Sequence, residues 1–234
     1  LYGNCGSTGG RRPYAPLVEA LDPEINPIRL EQLRHRVDEV LLRDVARALP
    51  SVRSALGPRA TAPPRLRDSE GALRMREGFA RTLAGLASVN PTVLILEDVH
   101  EADADTLHVL EALANRLGDE PLVLVLTYRT DEARQRSEVW AVLRTLDRTS
   151  RPQRIVLAPL SAYGTAELTL ALLHRTSLDP EFVTALQAGT GGNPLFVLET
   201  LRAMREQGVE SIVVDGNLPL SGGGRNVVSA RLDH

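Results

Sequence analysis

The stretch that most constrains this chain is Pro91 to Asp103, PTVLILEDVHEAD. Val93, Leu94, Ile95 and Leu96 form a short unbroken apolar run, and Glu97 and Asp98 come directly after it. A run this short and apolar predicts a strand buried on both faces, as in the parallel sheet of an α/β domain. Its carboxyl end then bears the two acids, and that end is where open α/β sheets bind their ligands. Two readings are open. In one, an acid at the strand tip holds Mg²⁺, usually through water, and its neighbour polarises an attacking water. In the other, a buried strand simply ends in two solvated acids.

Composition narrows the class. The 234 residues suffice for one large domain or one and a half. At 43% hydrophobic and 24% charged the chain is an ordinary globular sequence. Net charge is −3 and no basic block stands out, so the chain has no nucleic-acid footprint of its own. All 27 basic residues are Arg. The single Cys5 excludes an internal disulfide and suits a reducing cytoplasm. No apolar run approaches the ~20 residues that cross a membrane, and no signal peptide is visible. The chain begins at Leu1 without Met and ends at His234 just after an apparent helix start, so it reads as a fragment.

Leu1 to Gly10 reads as the end of a strand running into loop chemistry. GSTGGRR has glycines and cations but lacks the GxxxxGK[ST] spacing, and no Lys could reach a phosphate. Pro13 to Leu21 predicts a short helix entered through Pro16. Ile28 to Leu49 has apolar residues at 3/4 spacing and predicts one amphipathic helix. Pro50 to Pro64 reads as loop. A long helix comes next, capped by Asp68 or Ser69, with Leu73, Met75, Phe79, Leu83 and Leu86 on one face. It ends near Asn90-Pro91.

Beyond the acids, Asp103 or Asp105 can cap a helix through Leu107, Leu110, Leu113 and Leu117, closed by Gly118. Pro121 to Thr127, PLVLVLT, predicts a second buried strand, with Tyr128 and Arg129 after it. Two such strands joined by one helix make a right-handed βαβ unit with both tips on the same side, so Arg129 belongs near Glu97 and Asp98. A cation there can sense a terminal phosphate, or it can merely pair with the two acids. Ser137 to Leu146 predicts a helix with Trp140 in the core, and Arg154 to Ala158 a third strand. From there the pattern is helical, with starts at Ser161, Asp179-Pro180 and Asn193-Pro194. The last of these carries Leu195, Phe196, Leu198, Leu201 and Met204. Val209 to Leu220 reads as a hairpin, and Asn226 to Asp233 as the start of another helix.

VLILEDVHEADADTLHVLEAL resembles the Walker B region of signal-transduction ATPases with numerous domains, the STAND branch of AAA-type P-loop ATPases. It is most similar to the ATPase module of large LuxR-type, MalT-like transcriptional regulators and of ATPase-linked adenylyl cyclases. LVLVLTYRTDE resembles their sensor-1 strand, LAPLSAYGTAELTLALL the strand-to-lid junction, and TGGNPLFVLETLRAM the lid motif whose proline packs by the adenine. YGNC with PYAPLVEAL resembles the segment after the P-loop helix, and VVSARLDH the opening of a winged-helix domain. The resemblance covers essentially the whole chain, with its motifs in order.

The resemblance implies an α/β fold: a P-loop NTPase parallel sheet, its first strand and P-loop missing, and after it an all-helical lid domain. Residues 1–158 would be the partial core, 159–207 the lid, and 208–234 the hairpin and winged-helix start. It implies ATP or ADP with Mg²⁺ as cofactors. Glu97 and Asp98 would serve the metal and the attacking water, in an order left open. Arg129 would stand as sensor 1, Thr127 beside the nucleotide, and Gly192, Asn193 and Pro194 near the base. ATP would bind between core and lid and drive a slow switch in a cytoplasmic protein. An effector of unknown identity, DNA through a helix-turn-helix domain outside this chain, and nucleotide-dependent self-association complete the expected partners.

The sequence departs from the family twice. Glu101 stands where the family has Trp after the His, and no Walker A loop is present. Rival readings are a metal hydrolase on Asp98, His100 and Asp103, and a Ser or Cys hydrolase, which lacks a GxSxG elbow and a His partner for Cys5. The serious alternative is an interaction module that keeps the fold without nucleotide chemistry.

Overall fold

A computed structural model describes residues 1–6, 12–57, 68–114, 116, 120–149 and 152–206. Three parallel strands, β1 (Tyr2–Asn4), β2 (Thr92–Glu97) and β3 (Leu122–Leu126), form a sheet with β2 in the middle. Register pairs Gly3 with Leu96 on one side, and Leu96 with Leu126 on the other. All three strands therefore end together, and the turns at their carboxyl ends lie along one edge of the sheet.

Between β1 and β2 run α1 (Ala15–Leu21), α2 (Pro27–Arg34), α3 (Glu39–Val45), α4 (Pro50–Leu56) and the long α5 (Asp68–Val89). α6 (Ala104–Ala114) links β2 to β3, and α7 (Thr130–Gln135) and α8 (Ser137–Thr149) come after β3. Leu17, Leu33, Leu42, Phe79, Leu83, Leu107 and Leu110 are buried in one core with Leu94 and Leu96 of β2. Each such leucine contributes about 2 kcal/mol of burial. Tyr14 stacks on Phe79 at 4.9 Å, and buried Asp44 of α3 is tied to Arg74 of α5 at 2.8 Å.

The parallel α/β sheet with its helical partners is the expected fold class, with local corrections. The strands are buried on one face only: Val93, Val123 and Val125 are exposed, and no described element covers them. The helix expected over Ile28–Leu49 is two helices, because the Asp38 carboxylate accepts a hydrogen bond from Val40 N–H at 2.7 Å and starts α3. Of the expected stripe Ile28 and Val40 are exposed and Leu41 is half-buried, whereas Leu30, Leu33, Val37, Val45 and Leu49 keep to the core, where Leu42, outside the stripe, joins them. Pro50 does not open a loop; it begins α4, where its missing N–H costs nothing. Leu73 of α5 is likewise exposed rather than inward.

The chain's contacts divide it into two compact units, Leu1–Gln153 and one that begins at Arg154. The second contains α9 (Ala162–Leu173), α10 (Pro180–Thr190) and α11 (Pro194–Glu206). Ser161, Asp179 and Asn193 cap them, accepting from Gly164, Glu181 and Leu195 N–H. Phe182, Leu186, Val197 and Leu201 form its core, while Leu195 is exposed. The third strand expected at Arg154–Ala158 is absent: these residues form no ladder, and Ile155, Val156 and Leu157 are 76%, 88% and 91% exposed. A strand exists only against a neighbour's edge, and no described edge pairs with this one. The glycine-rich loop at 7–11, the segment 58–67, Leu117, Gly118, the caps at Asp68 and Ser69, the hairpin over 209–220 and the helix start over 226–233 lie outside the described residues and side chains. No described helix is long and apolar enough to cross a membrane.

Candidate functional site

The site grows from the way β2 ends. Asp98 leaves the strand in the left-handed conformation, φ 54°, and enters a single 3₁₀ turn, Val99–Glu101. Asp tolerates this conformation better than most residues with a Cβ. Thr127, just past β3, locks the turn. Its N–H donates to Leu96 O at 3.1 Å, its carbonyl accepts from Val99 N–H at 2.9 Å, and its Oγ1 accepts from Asp98 N–H at 3.2 Å. On the other side Cys5 N–H donates to Glu97 O at 2.9 Å.

The two acids face different surroundings. Glu97 is the last residue of β2, and its Oε2 accepts a hydrogen bond from Tyr2 OH at 2.7 Å. That bond holds the Tyr2 phenol above its usual range. The Asp98 carboxylate is 45% exposed, with Oδ1 4.0 Å from Nδ1 of His100. Burial first, then the charges of Asp103, Asp98 and Glu19, push the Cys5 thiol up to about 12. Asp103, Asp98 and Glu19 thus add negative charge around Cys5 at the strand tips. Oxygen ligands at a strand's carboxyl end, partly open to water, fit a hard cation that keeps several of its waters.

Arg129 caps α7 at the tip of β3 with its guanidinium 74% exposed. Nη1 donates to Glu132 Oε1 at 2.9 Å. The guanidinium is raised above its ordinary range by Glu132 first, with further contributions from Asp98 and Glu101. The structure therefore brings Glu97, Asp98, Thr127 and Arg129 together at one end of the sheet. Gly192, Asn193 and Pro194 lie in the second unit, at the turn from α10 into α11. There Leu160 N–H donates to Gly192 O at 2.8 Å, and Gln187 Nε2 donates to Leu160 O at 2.8 Å. Asn193 and Pro194 are exposed and Gly192 is buried.

His100, 4% exposed, lies beneath the acids. Its Nδ1 accepts from the backbone N–H of Arg129 at 3.3 Å, and its Nε2 lies 3.2 Å from Glu132 Oε2. Since a backbone N–H can only donate, Nδ1 has no proton and Nε2–H is the donor to Glu132. His100, Glu101 and Glu132 have ligand atoms within 4.8 Å of one another. A metal on Nε2 would require the proton on Nδ1, where it would face the Arg129 N–H, so His100 and Glu132 form a hydrogen-bond relay rather than a metal site. The set Asp98, His100 and Asp103 fares no better. Asp103 Oδ1 accepts from Thr106 N–H and Tyr14 N–H at 2.9 and 3.3 Å, and Oδ2 from Thr106 Oγ1 at 2.6 Å. Its carboxylate is a helix cap.

Sequence reading missed Tyr2 and Glu132. The first depends on strand register, which no local pattern reveals. The second sits three residues after Arg129 on α7, the spacing of one helical face, but six residues are too few for a periodicity to show.

A family described as AAA ATPase domain matches residues 1–126, more than half the chain, from β1 through β3. A protein of Rhizobium meliloti (strain 1021), described as uncharacterised, is 30% identical over 141 residues, which is 58% of this chain and 13% of that protein. The chain thus spans a small part of that relative's length. No solved structure matches.

Proposed function

We propose that this chain, which belongs to the AAA ATPase domain family, is the nucleotide-switch module of a signal-transduction ATPase of the LuxR-type, MalT-like kind. Family membership implies nucleotide binding, typically with Mg²⁺. The observation that supports hydrolysis is the convergence of Glu97, Asp98 and Arg129 on one sheet edge, with the Asp98 turn locked to β3 through Thr127.

The Glu97 and Asp98 carboxylates are assigned to holding the ion and to orienting and deprotonating the attacking water. Mg²⁺ supplies neutralisation of the phosphate charge when bound. Arg129 places positive charge at the same edge, where negative charge develops on the transferred group. Thr127 fixes the backbone that presents Asp98. Gly192, Asn193 and Pro194 are assigned to the nucleotide base on the strength of the resemblance alone. Exchange of ATP for ADP would bias two arrangements of the protein, in a cytoplasmic setting, with an effector and a DNA-binding helix-turn-helix domain supplied outside this chain.

The test uses the full-length protein that contains this chain. ATP and ADP binding is measured by calorimetry, and turnover by phosphate release. Asp98→Asn is expected to keep nucleotide affinity and to lower turnover about 10³-fold. Nucleotide binding with hydrolysis unchanged in Asp98→Asn sinks the assignment of the acids. No binding of either nucleotide favours an interaction module, and nucleotide-stimulated cyclic AMP synthesis favours the adenylyl cyclase reading.

A further inference from the structure

The exposed Arg129 guanidinium is not left to its own flexibility. Glu132, one turn into α7, meets it through Oε1 at 2.9 Å. An ion pair of this spacing on a helix surface is ordinarily worth little, because both side chains are free to leave it. Here the other oxygen of the same carboxylate meets His100 Nε2 at 3.2 Å. His100 in turn is held at several points. It is 4% exposed, its Nδ1 is bonded to Arg129 N–H, and its carbonyl accepts from Arg136 Nη1 at 2.6 Å. The relay closes on itself: the backbone of Arg129 fixes the ring, the ring fixes Glu132, and Glu132 fixes the guanidinium of Arg129.

We infer that Glu132, held by His100, is the positioning residue that keeps the Arg129 guanidinium at the tip of β3. The inference rests on the nucleotide-hydrolysis reading of this site and goes beyond it, since it adds two residues that act through Arg129. One carboxylate oxygen is given to the buried imidazole and the other to the guanidinium, so charge and two-point attachment are both required. His100 therefore serves orientation, while the acids beside it serve the reaction.

The experiment is a mutant cycle on the full-length protein, with steady-state ATP hydrolysis and ADP binding measured for each variant. Arg129→Ala is expected to lower kcat about 10³-fold, as loss of a charge-stabilising arginine does. Glu132→Gln keeps the bond to His100 but loses the ion pair. It should lower kcat about tenfold while KM and ADP affinity change less than about twofold. The double variant should match Arg129→Ala, because Glu132 has no other route to the reaction. His100→Met fills the pocket without a donor and should reproduce Glu132→Gln, whereas His100→Gln, which keeps an N–H directed at Glu132, should restore most of the rate. A Glu132→Gln enzyme with unchanged kcat, or effects of Glu132→Gln and Arg129→Ala that multiply, overturns the relay while leaving the hydrolysis reading intact. An Arg129→Ala enzyme with full activity overturns the relay and the role given to Arg129, and a wild-type protein that hydrolyses no ATP overturns the hydrolysis reading itself. If His100→Met does not fold, the Glu132 and Arg129 arms still decide the matter.

Discussion

At the end of β2 the backbone turns through Asp98 at φ 54°, and at the end of α10 it turns through Gly191 and Gly192 at φ 59° and 73°. The two turns share a conformation and differ in the residue that adopts it. The first keeps a side chain in a region that costs a residue with a Cβ roughly 1 kcal/mol. The second has none, and a Cβ on Gly192 would lie 2.3 Å from Leu160 O. At the strand tip the carboxylate is retained in spite of the backbone, with His100 Nδ1 4.0 Å from it and Thr127 Oγ1 on the Asp98 N–H. At the helix junction the backbone itself makes the contact, two carbonyls and two donors between Leu160, Gln187 and Gly192. The first turn is built for chemistry that a side chain must perform, and the second for a close approach that a side chain would prevent.

The sharpest way to break this contrast is Gly192→Ala. The new methyl meets a backbone carbonyl that cannot step aside, in a conformation Ala resists. The second unit should lose about 3 kcal/mol, read as a drop in its thermal unfolding midpoint. Thr127→Val tests the other turn. It removes the Oγ1 that accepts from Asp98 N–H, but that donor lies near water. The expected loss is only about 0.5–1 kcal/mol of stability, with a larger proportional loss of ATP turnover as Asp98 is released. A Thr127→Val protein destabilised as much as Gly192→Ala would mean that the first turn, too, is structural. Asp98→Gly then separates function from fold: stability should rise by about 0.5 kcal/mol as strain is relieved, less the added freedom of the unfolded chain, while hydrolysis is lost. A fall in chemical-denaturation stability would show that the carboxylate contributes to folding after all.

The same contrast explains which parts were legible in the sequence. Asp98 could be placed because four apolar residues and two acids define a strand tip locally. The starts of α9, α10 and α11 could be placed because Ser161, Asp179 and Asn193 announce caps. Features that depend on distant partners could not. The apolar stripe from Leu30 to Leu49 runs unbroken across the gap between α2 and α3, so periodicity reported one helix where Asp38 starts a second. Arg154–Ala158 has strand composition but no described edge to pair with, and backbone hydrogen bonds, not composition, make a strand. Tyr2 reaches Glu97 only because β1 and β2 lie in the register that sets Gly3 against Leu96. His100 could be seen as a candidate ligand, but its role is decided by the N–H of Arg129, 29 residues away.

The smallest expected effect measures the field at the first turn. Cys5 N–H is bonded to the Glu97 carbonyl, and its thiol is pushed up to about 12, chiefly by burial and secondarily by Asp103 and Asp98. Because the thiolate is the reactive form, iodoacetamide at pH 8 should modify the folded chain roughly 10³-fold more slowly than the unfolded one, whose thiol titrates near its ordinary value. The raised value sets the sign for stability: the thiol's contribution is whole below pH 9, the ordinary value, and is lost as pH rises toward 12. Asp98→Asn removes the third-ranked cause and leaves the first, so alkylation should quicken only a few-fold. An Asp98→Asn protein alkylated no faster than the native one would mean that the Asp98 charge exerts no field at Cys5, whereas rapid alkylation of native Cys5 would mean that its thiol is not buried.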